Sequence, residues 1–265
     1  MSSDVEGVQT DAVTYAVAEG VATLTLNRPD ARNVLNADSL VPLIEGLASA
    51  AVDDHVRVVV LTGTGPAFCA GADLRGAQTD AGGFASSGPR LLVTALEALL
   101  DHPKPTIARV QGHVAGGGNG LVAACDLAVA ADNVTFAFSE VRVGVAPAVI
   151  SVVCLRVMRP RDAADLFLTG QRVSAERALD AGLLNRVVPA GDLDHAVDVW
   201  IEHLRLGGPT ALAATKQLLR QVPATTRDEG FAFTAELSAA LFAGAEAAEG
   251  MTAFVERRPP RWAPS

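Results

Sequence analysis

Gln111–Ala124 reads QGHVAGGGNGLVAA: a strand end, three consecutive glycines, then an apolar face at helical spacing. A chain that passes from strand to helix through glycines presents the unpaired N–H groups of a helix N-terminus and has no Cβ to block the way to them, which makes a site for an oxyanion. The segment lacks the Lys-Ser/Thr of a phosphate loop and the GxGxxG spacing of a dinucleotide site, so a nucleotide-binding α/β protein is disfavoured. Upstream, Pro66–Leu74 reads PAFCAGADL, where a strand gives way to small residues and Asp73. Downstream, Phe136–Ala148 reads FAFSEVRVGVAPA, with Glu140 interrupting an apolar run. Taken singly, Pro66–Leu74 is a tight strand-to-loop turn and Glu140 a solvent-facing residue on a strand edge.

The pattern around these segments alternates strands and helices. Val13–Ala18 and Val21–Leu26 flank Glu19-Gly20 as a hairpin. Asp38–Val52 carries Leu40, Leu43, Ile44, Leu47 and Ala51 on one helical face, with Asp38-Ser39 as its cap. Val56–Thr62 is a β-branched run ending at Gly63, the pattern of a strand buried on both faces. Leu91–Leu100 reads as helix, and Thr106–Val110, Asp126–Ala131 and Thr135–Phe138 as strands, which together make repeated β-β-α units with helices outside the sheets. From Arg161 the chain reads as almost wholly helical, over Ala163–Leu168, Ala175–Asp180, Leu193–Leu206, Thr210–Gln221, Asp228–Ala248 and Gly250–Arg257. Arg75–Pro89 is rich in Gly, Ser and Ala without a period and is expected to be a loop or lid.

Composition bounds the function. The chain has 265 residues, of which 49% are apolar and 19% charged, enough to bury a core. A net charge of −9 without a Lys/Arg run argues against nucleic acid or an anionic membrane as the partner, so an anionic ligand must be met locally. The three cysteines lie in apolar surroundings and fit reduced thiols; the N-terminus has no signal-peptide pattern, and the expectation is a cytoplasmic protein. Neither clustered His/Cys/Asp nor HExxH spacing calls for a metal.

In order and together, the segments resemble the crotonase (enoyl-CoA hydratase/isomerase) superfamily. The matching pieces are Asn27-Arg28-Pro29 with Asn33-Val34-Leu35-Asn36, Phe68–Leu74, Gly112–Ala124 with Cys125-Asp126, Phe138–Gly144, and the C-terminal EGMTAFVERRPPRW. The resemblance implies an α/β fold: a crotonase-like spiral of ββα units over residues 1–200, followed by a helical trimerisation region over 201–265. It also implies a homotrimer or homohexamer acting on an acyl-CoA thioester, with no separate cofactor because CoA belongs to the substrate. By position, the peptide N–H groups of Ala72 and Gly117 correspond to an oxyanion hole and Glu140 to the acid/base. Arg28, Arg32, Ala70, Asp73 and Leu74 correspond to CoA-binding positions, and Phe254 and Arg257 to residues that complete a neighbour's CoA site.

One departure matters. Hydratases of this family carry a second catalytic glutamate on the glycine-rich helix, and here that position is Gly120. Glu140 alone can take a proton from water and return it to the α-carbon, or move a proton between the α- and γ-carbons. The readings are therefore an enoyl-CoA hydratase, a Δ3,Δ2-enoyl-CoA isomerase, or an acyl-CoA-binding protein without turnover. Asn119 is a candidate for orienting water; His113 and Cys69 read as structural.

Overall fold

The computed structural model describes residues 12–73 and 87–263. Leu74 and most of the expected loop Arg75–Pro89 lie outside them. The chain opens with the hairpin β1 (Val13–Ala18) and β2 (Val21–Leu26), paired in full register from Val13↔Leu26 to Ala18↔Val21. Its two-residue turn needs positive φ at both positions, and Glu19 (φ 49°) and Gly20 (φ 80°) supply it. Helix α1 (Ala37–Val52) follows. Its cap is Asn36, not Asp38-Ser39: the Asn36 side chain accepts from Ser39 N at 3.2 Å, and Ser39 Oγ accepts from Asn36 N at 3.1 Å. Asp38 sits in the first turn, where an acidic side chain suits the helix dipole. The expected strand at Val56 begins two residues later, as β3 (Val58–Gly63), with every residue buried.

The next elements are β4 (Ala67–Cys69), α2 (Gly88–Leu100), β5 (Thr106–Val110), β6 (His113–Ala115), α3 (Gly117–Ala124), β7 (Leu127–Ala131) and β8 (Thr135–Ala137). Helices α4 (Ala148–Val157) and α5 (Pro160–Thr169), β9 (Arg172–Ser174), α6 (Ala175–Asp180) and β10 (Arg186–Val188) come after them. The strands form two sheets, ordered β1-β2-β3-β5-β7-β10 and β4-β6-β8-β9. Each of the pairs β3/β4, β5/β6 and β7/β8 sends its first strand to the large sheet and its second to the small one. The large sheet is parallel from β2 onward, and β4, β6 and β8 are parallel to each other. This is the repeated ββα spiral expected from the sequence. Strands β9 and β10 correct the all-helical reading beyond Arg161; at three residues each they are too short to show a period. Helix α4 is also unheralded, because its β-branched run carries no helical signal.

Four helices close the chain: α7 (Leu193–Leu206), α8 (Pro209–Gln221), α9 (Arg227–Phe242) and α10 (Ala245–Glu256). The expected continuous helix Asp228–Ala248 breaks at Ala243-Gly244, where Gly244 takes extended dihedrals and becomes the N-cap of α10. Residue 200 lies inside α7. Among the described residues, no helix is long and apolar enough to cross a membrane.

Cations fasten these helices to the spiral. Arg57 donates to the carbonyls of Trp262 and Gly207, both at 2.7 Å, and Arg220 donates to the Leu100 carbonyl at 2.7 Å. Lys216 is buried and its Nζ pairs with Asp126, whose Oδ2 also accepts from Thr106 N and Oγ1 at the start of β5. Lys216→Ala leaves Asp126 without its cation and should lower the unfolding free energy by about 2 kcal/mol, the usual size of a charge-assisted hydrogen bond. Chemical denaturation checks this, and an unchanged midpoint would show that the pair adds nothing net.

Candidate active site

A cavity of about 470 Å³ lies where β4, α2, α3 and α4 converge. One wall is backbone. Ala72 bridges Leu35 in parallel fashion: Leu35 N donates to Gly71 O at 2.7 Å and Asp73 N to Leu35 O at 3.1 Å. In that pattern the residue between the two bonds turns its own N–H to the opposite side, so the Ala72 N–H points away from Leu35. Gly71 makes the wall close-fitting. Its φ is +85°, and a Cβ there would lie 2.9 Å from Ala115 O and 3.3 Å from Gly117 N. Gly117 is the first residue of α3, where a helix N–H has no intrahelical acceptor. Ala72 and Gly117 thus line the same cavity, each with a backbone donor not used by its own element.

Glu140 faces this wall. It sits in a 3-10 turn, Ser139–Val143, directly after β8, rather than on a strand edge. Its Oε1 lies 3.6 Å from where a Cβ on Gly116 would stand. Its Oε2 is buried without a hydrogen-bond partner among the described residues. Burial raises the carboxyl pKa above its ordinary value, against a smaller opposing effect of its own backbone N–H. Among the described lining residues Glu140 is the one titratable side chain and Ser139 the other polar one; Leu92, Val143, Val145, Val149 and Ile150 make the rest largely apolar.

Asn119 connects the two sides. It is fully buried, and its Nδ2 donates to Gly116 O at 3.2 Å and Ala137 O at 2.9 Å, while Gly116 N donates to Ala137 O at 3.0 Å. These bonds pin the glycine turn to the strand end from which Glu140 follows by three residues. Asn119 does not line the cavity, so the expectation that it orients water there gives way to a positioning role. Gly120, the position that matches the family's second glutamate, does not line the cavity either. It is buried behind α4 instead of facing the cavity, since a Cβ on it would meet Ile150 Cγ2 at 2.5 Å. His113 is an exposed partner of Thr135, and the Cys69 thiol is buried and pushed up to about 12 by desolvation.

The remaining expected positions divide. Ala70 lines the cavity, and its N–H donates to the carbonyl of Arg32, an exposed residue at φ 55°. Asp73 follows Ala72 without lining the cavity, and Leu74 lies outside the described residues. Arg28 stands in a separate cleft beside Asp38, with 3.7 Å between Nη1 and Oδ2. Phe254 and Arg257 are exposed on and just after α10 and do not line this chain's own cavity. Ala148, Val149 and Ile150 line the cavity, in the stretch Ala148–Leu155 that the sequence marks as shaping the acyl pocket, whereas Leu92, whose place in the wall no local motif announces, was missed.

Residues 16–264 match the protein family described as enoyl-CoA hydratase/isomerase. A Thermus thermophilus protein provisionally named an enoyl-CoA hydratase is 37% identical over 245 residues, which is 91% of this chain and 97% of that protein. The crystal structure of a Mycobacterium smegmatis enoyl-CoA hydratase superposes with a TM-score of 0.87 at 35% identity, covering 95% of this chain and 98% of that one. An enoyl-CoA hydratase/isomerase from Marinobacter aquaeolei gives a TM-score of 0.89 at 30% identity, over 96% of this chain and 100% of that one. The ββα spiral, the glycine-lined cavity and these likenesses have one conclusion: the chain belongs to the enoyl-CoA hydratase/isomerase family, within the crotonase superfamily.

Proposed function

We propose that the chain adds water across the 2,3 double bond of an acyl-CoA thioester, with Glu140 as its single acid/base. The observation that carries this reading is the buried, unpartnered Oε2 of Glu140 opposite the backbone donors of Ala72 and Gly117. In the proposed reaction the thioester carbonyl accepts from both N–H groups, which stabilise the enolate-like oxygen as charge develops; one such donor is worth about 3–4 kcal/mol. Glu140 takes a proton from water, the oxygen bonds to the β-carbon, and the same carboxyl returns a proton to the α-carbon. Arg28 and Arg32 serve the CoA phosphates, and Phe254 and Arg257 a neighbouring subunit's CoA, in a homotrimer or homohexamer. Large apolar side chains exposed on α9 and α10, among them Phe231, Phe242 and Phe254, support such an assembly.

A second reading, Δ3,Δ2-enoyl-CoA isomerase, is favoured by Ile150. With its side chain over Gly120, that wall offers no second carboxylate to water, and a lone Glu140 suffices to carry a proton between the α- and γ-carbons. Loss of crotonyl-CoA absorbance, run beside conversion of a 3-enoyl-CoA, separates the two; turnover of neither would leave a binding protein.

Glu140→Gln should lower turnover on the active substrate by roughly 10²–10⁴-fold, while affinity for a saturated acyl-CoA holds, since backbone and arginines bind it. The raised pKa adds a pH test. The ionised carboxylate needed to accept a proton forms only above the ordinary glutamate value of 4.5, so kcat/KM should rise with pH through a limb displaced upward from there. In Glu140→Gln that limb should vanish, and its survival would assign it to another group.

Gly120→Glu alone should not gain hydration. Its Cβ runs into Ile150, so the expected outcome is a loss of stability of about 1–3 kcal/mol from overpacking, read as a lowered melting temperature. A stable Gly120→Glu enzyme with faster hydration would show that α4 moves aside.

A further inference from the structure

Ile150 carries no charge and no proton, yet it is where α4 meets both the cavity and α3. It is buried and lines the cavity. Behind it, a Cβ on Gly120 would lie 2.5 Å from Ile150 Cγ2, 3.1 Å from Ile150 Cβ and 3.5 Å from Leu96 Cδ2. The slot beside Gly120 is therefore closed by apolar atoms of α2 and α4, and Gly120 itself brings nothing to fill it. Gly120 follows Gly117 by three residues on α3, so it stands about 5 Å further along the helix. In the acyl-CoA reading, a thioester whose carbonyl oxygen accepts from the Gly117 N–H has its α- and β-carbons about 5 Å from that amide, the same separation along α3 at which Ile150 packs over Gly120 and lines the cavity.

We infer that Ile150 sets the width of the acyl site at the reacting carbons and selects a straight chain over one branched at the α- or β-carbon. The inference rests on the acyl-CoA reading above. Its physical basis is that close-packed interiors relax only in part when a side chain is cut back. Truncating Ile150 opens the slot toward Gly120, which has no side chain to refill it. Apolar pockets discriminate by roughly 10–200-fold for one carbon in the way.

The test is calorimetric binding of butyryl-CoA, 2-methylbutyryl-CoA and 3-methylbutyryl-CoA, saturated thioesters that do not turn over. Wild-type protein should prefer butyryl-CoA, and Ile150→Ala should narrow that preference on the order of tenfold for at least one branched ligand. Ile150→Val, a milder cut that keeps the fold, should shift the ratio in the same direction by roughly two- to threefold, so the inference stays testable if the alanine variant is unstable. Folded variants that bind butyryl-CoA with the wild-type ratio to the branched ligands would overturn the role of Ile150 alone. A wild-type protein that binds none of the three would overturn the acyl-CoA reading and this inference with it.

Discussion

The site depends on one close approach, that of Gly71 to the turn at Ala115–Gly117. Any side chain at Gly71 would strike the Ala115 carbonyl, and its φ of +85° is a conformation that L-residues avoid. Only with both costs absent does the segment after β4 lie against the start of α3. The contact joins consecutive turns of the spiral and sets the Ala72 and Gly117 amides on one wall. Gly116 extends the same logic: at φ 51° it turns the chain from β6 into α3, with Gly71 on one side and Glu140 on the other. The three glycines in a row are thus three separate requirements: Gly116 for the turn, Gly117 for the helix start, and Gly118 for a close approach, since a Cβ there would lie 2.8 Å from Cys69 O.

Hydrogen bonds then hold what the glycines permit. A bare glycine turn is entropically loose, and here it is tied by Asn119, which spends both side-chain N–H groups on Gly116 and Ala137. The Asn119 Oδ1 has no hydrogen-bond partner among the described residues, so this buried tie is made at some expense to the core. Because Ala137 ends β8 and Glu140 follows in the next turn, the tie relates the amide wall to the carboxyl. The carboxyl itself is held in a largely apolar cavity, and burial there raises its pKa above the ordinary glutamate value.

Packing sets the chemistry of the remaining wall. On α3, Gly120 leaves space and Ile150 of α4 takes it, so the cavity wall there is apolar. The same exchange explains why a residue on the glycine-rich helix does not reach the cavity although its neighbour Gly117 does. The long C-terminal helices contribute little to this chain's own core, α9 burying only Gly230 and α10 only Ala253. Arg57, Lys216 and Arg220 hold α8 and the chain end in place by backbone carbonyls and carboxylates rather than by apolar burial.

The sequence alone determined the elements whose signals are local. The β1/β2 hairpin was legible because Glu19-Gly20 sits between two alternating runs. Helix α1 showed a period, β3 an unbroken β-branched stretch, and β5 and β7 short, mostly apolar runs beside turns. The three segments around Ala72, Gly117 and Glu140 were legible as unusual chemistry, small residues in two and a carboxyl within an apolar run in the third. Tertiary structure decided the rest. Strands β9 and β10 exist because a sheet edge is there to receive them, and α4 overrides its β-branched composition because it packs on α3. Whether Gly120 opens to the cavity, and whether Asn119 faces water or backbone, depends on side chains distant in sequence: Ile150 for the one, the Ala137 carbonyl for the other. No periodicity encodes such contacts, since spacing along the chain specifies which face a residue occupies and not which neighbour the folded chain brings against it.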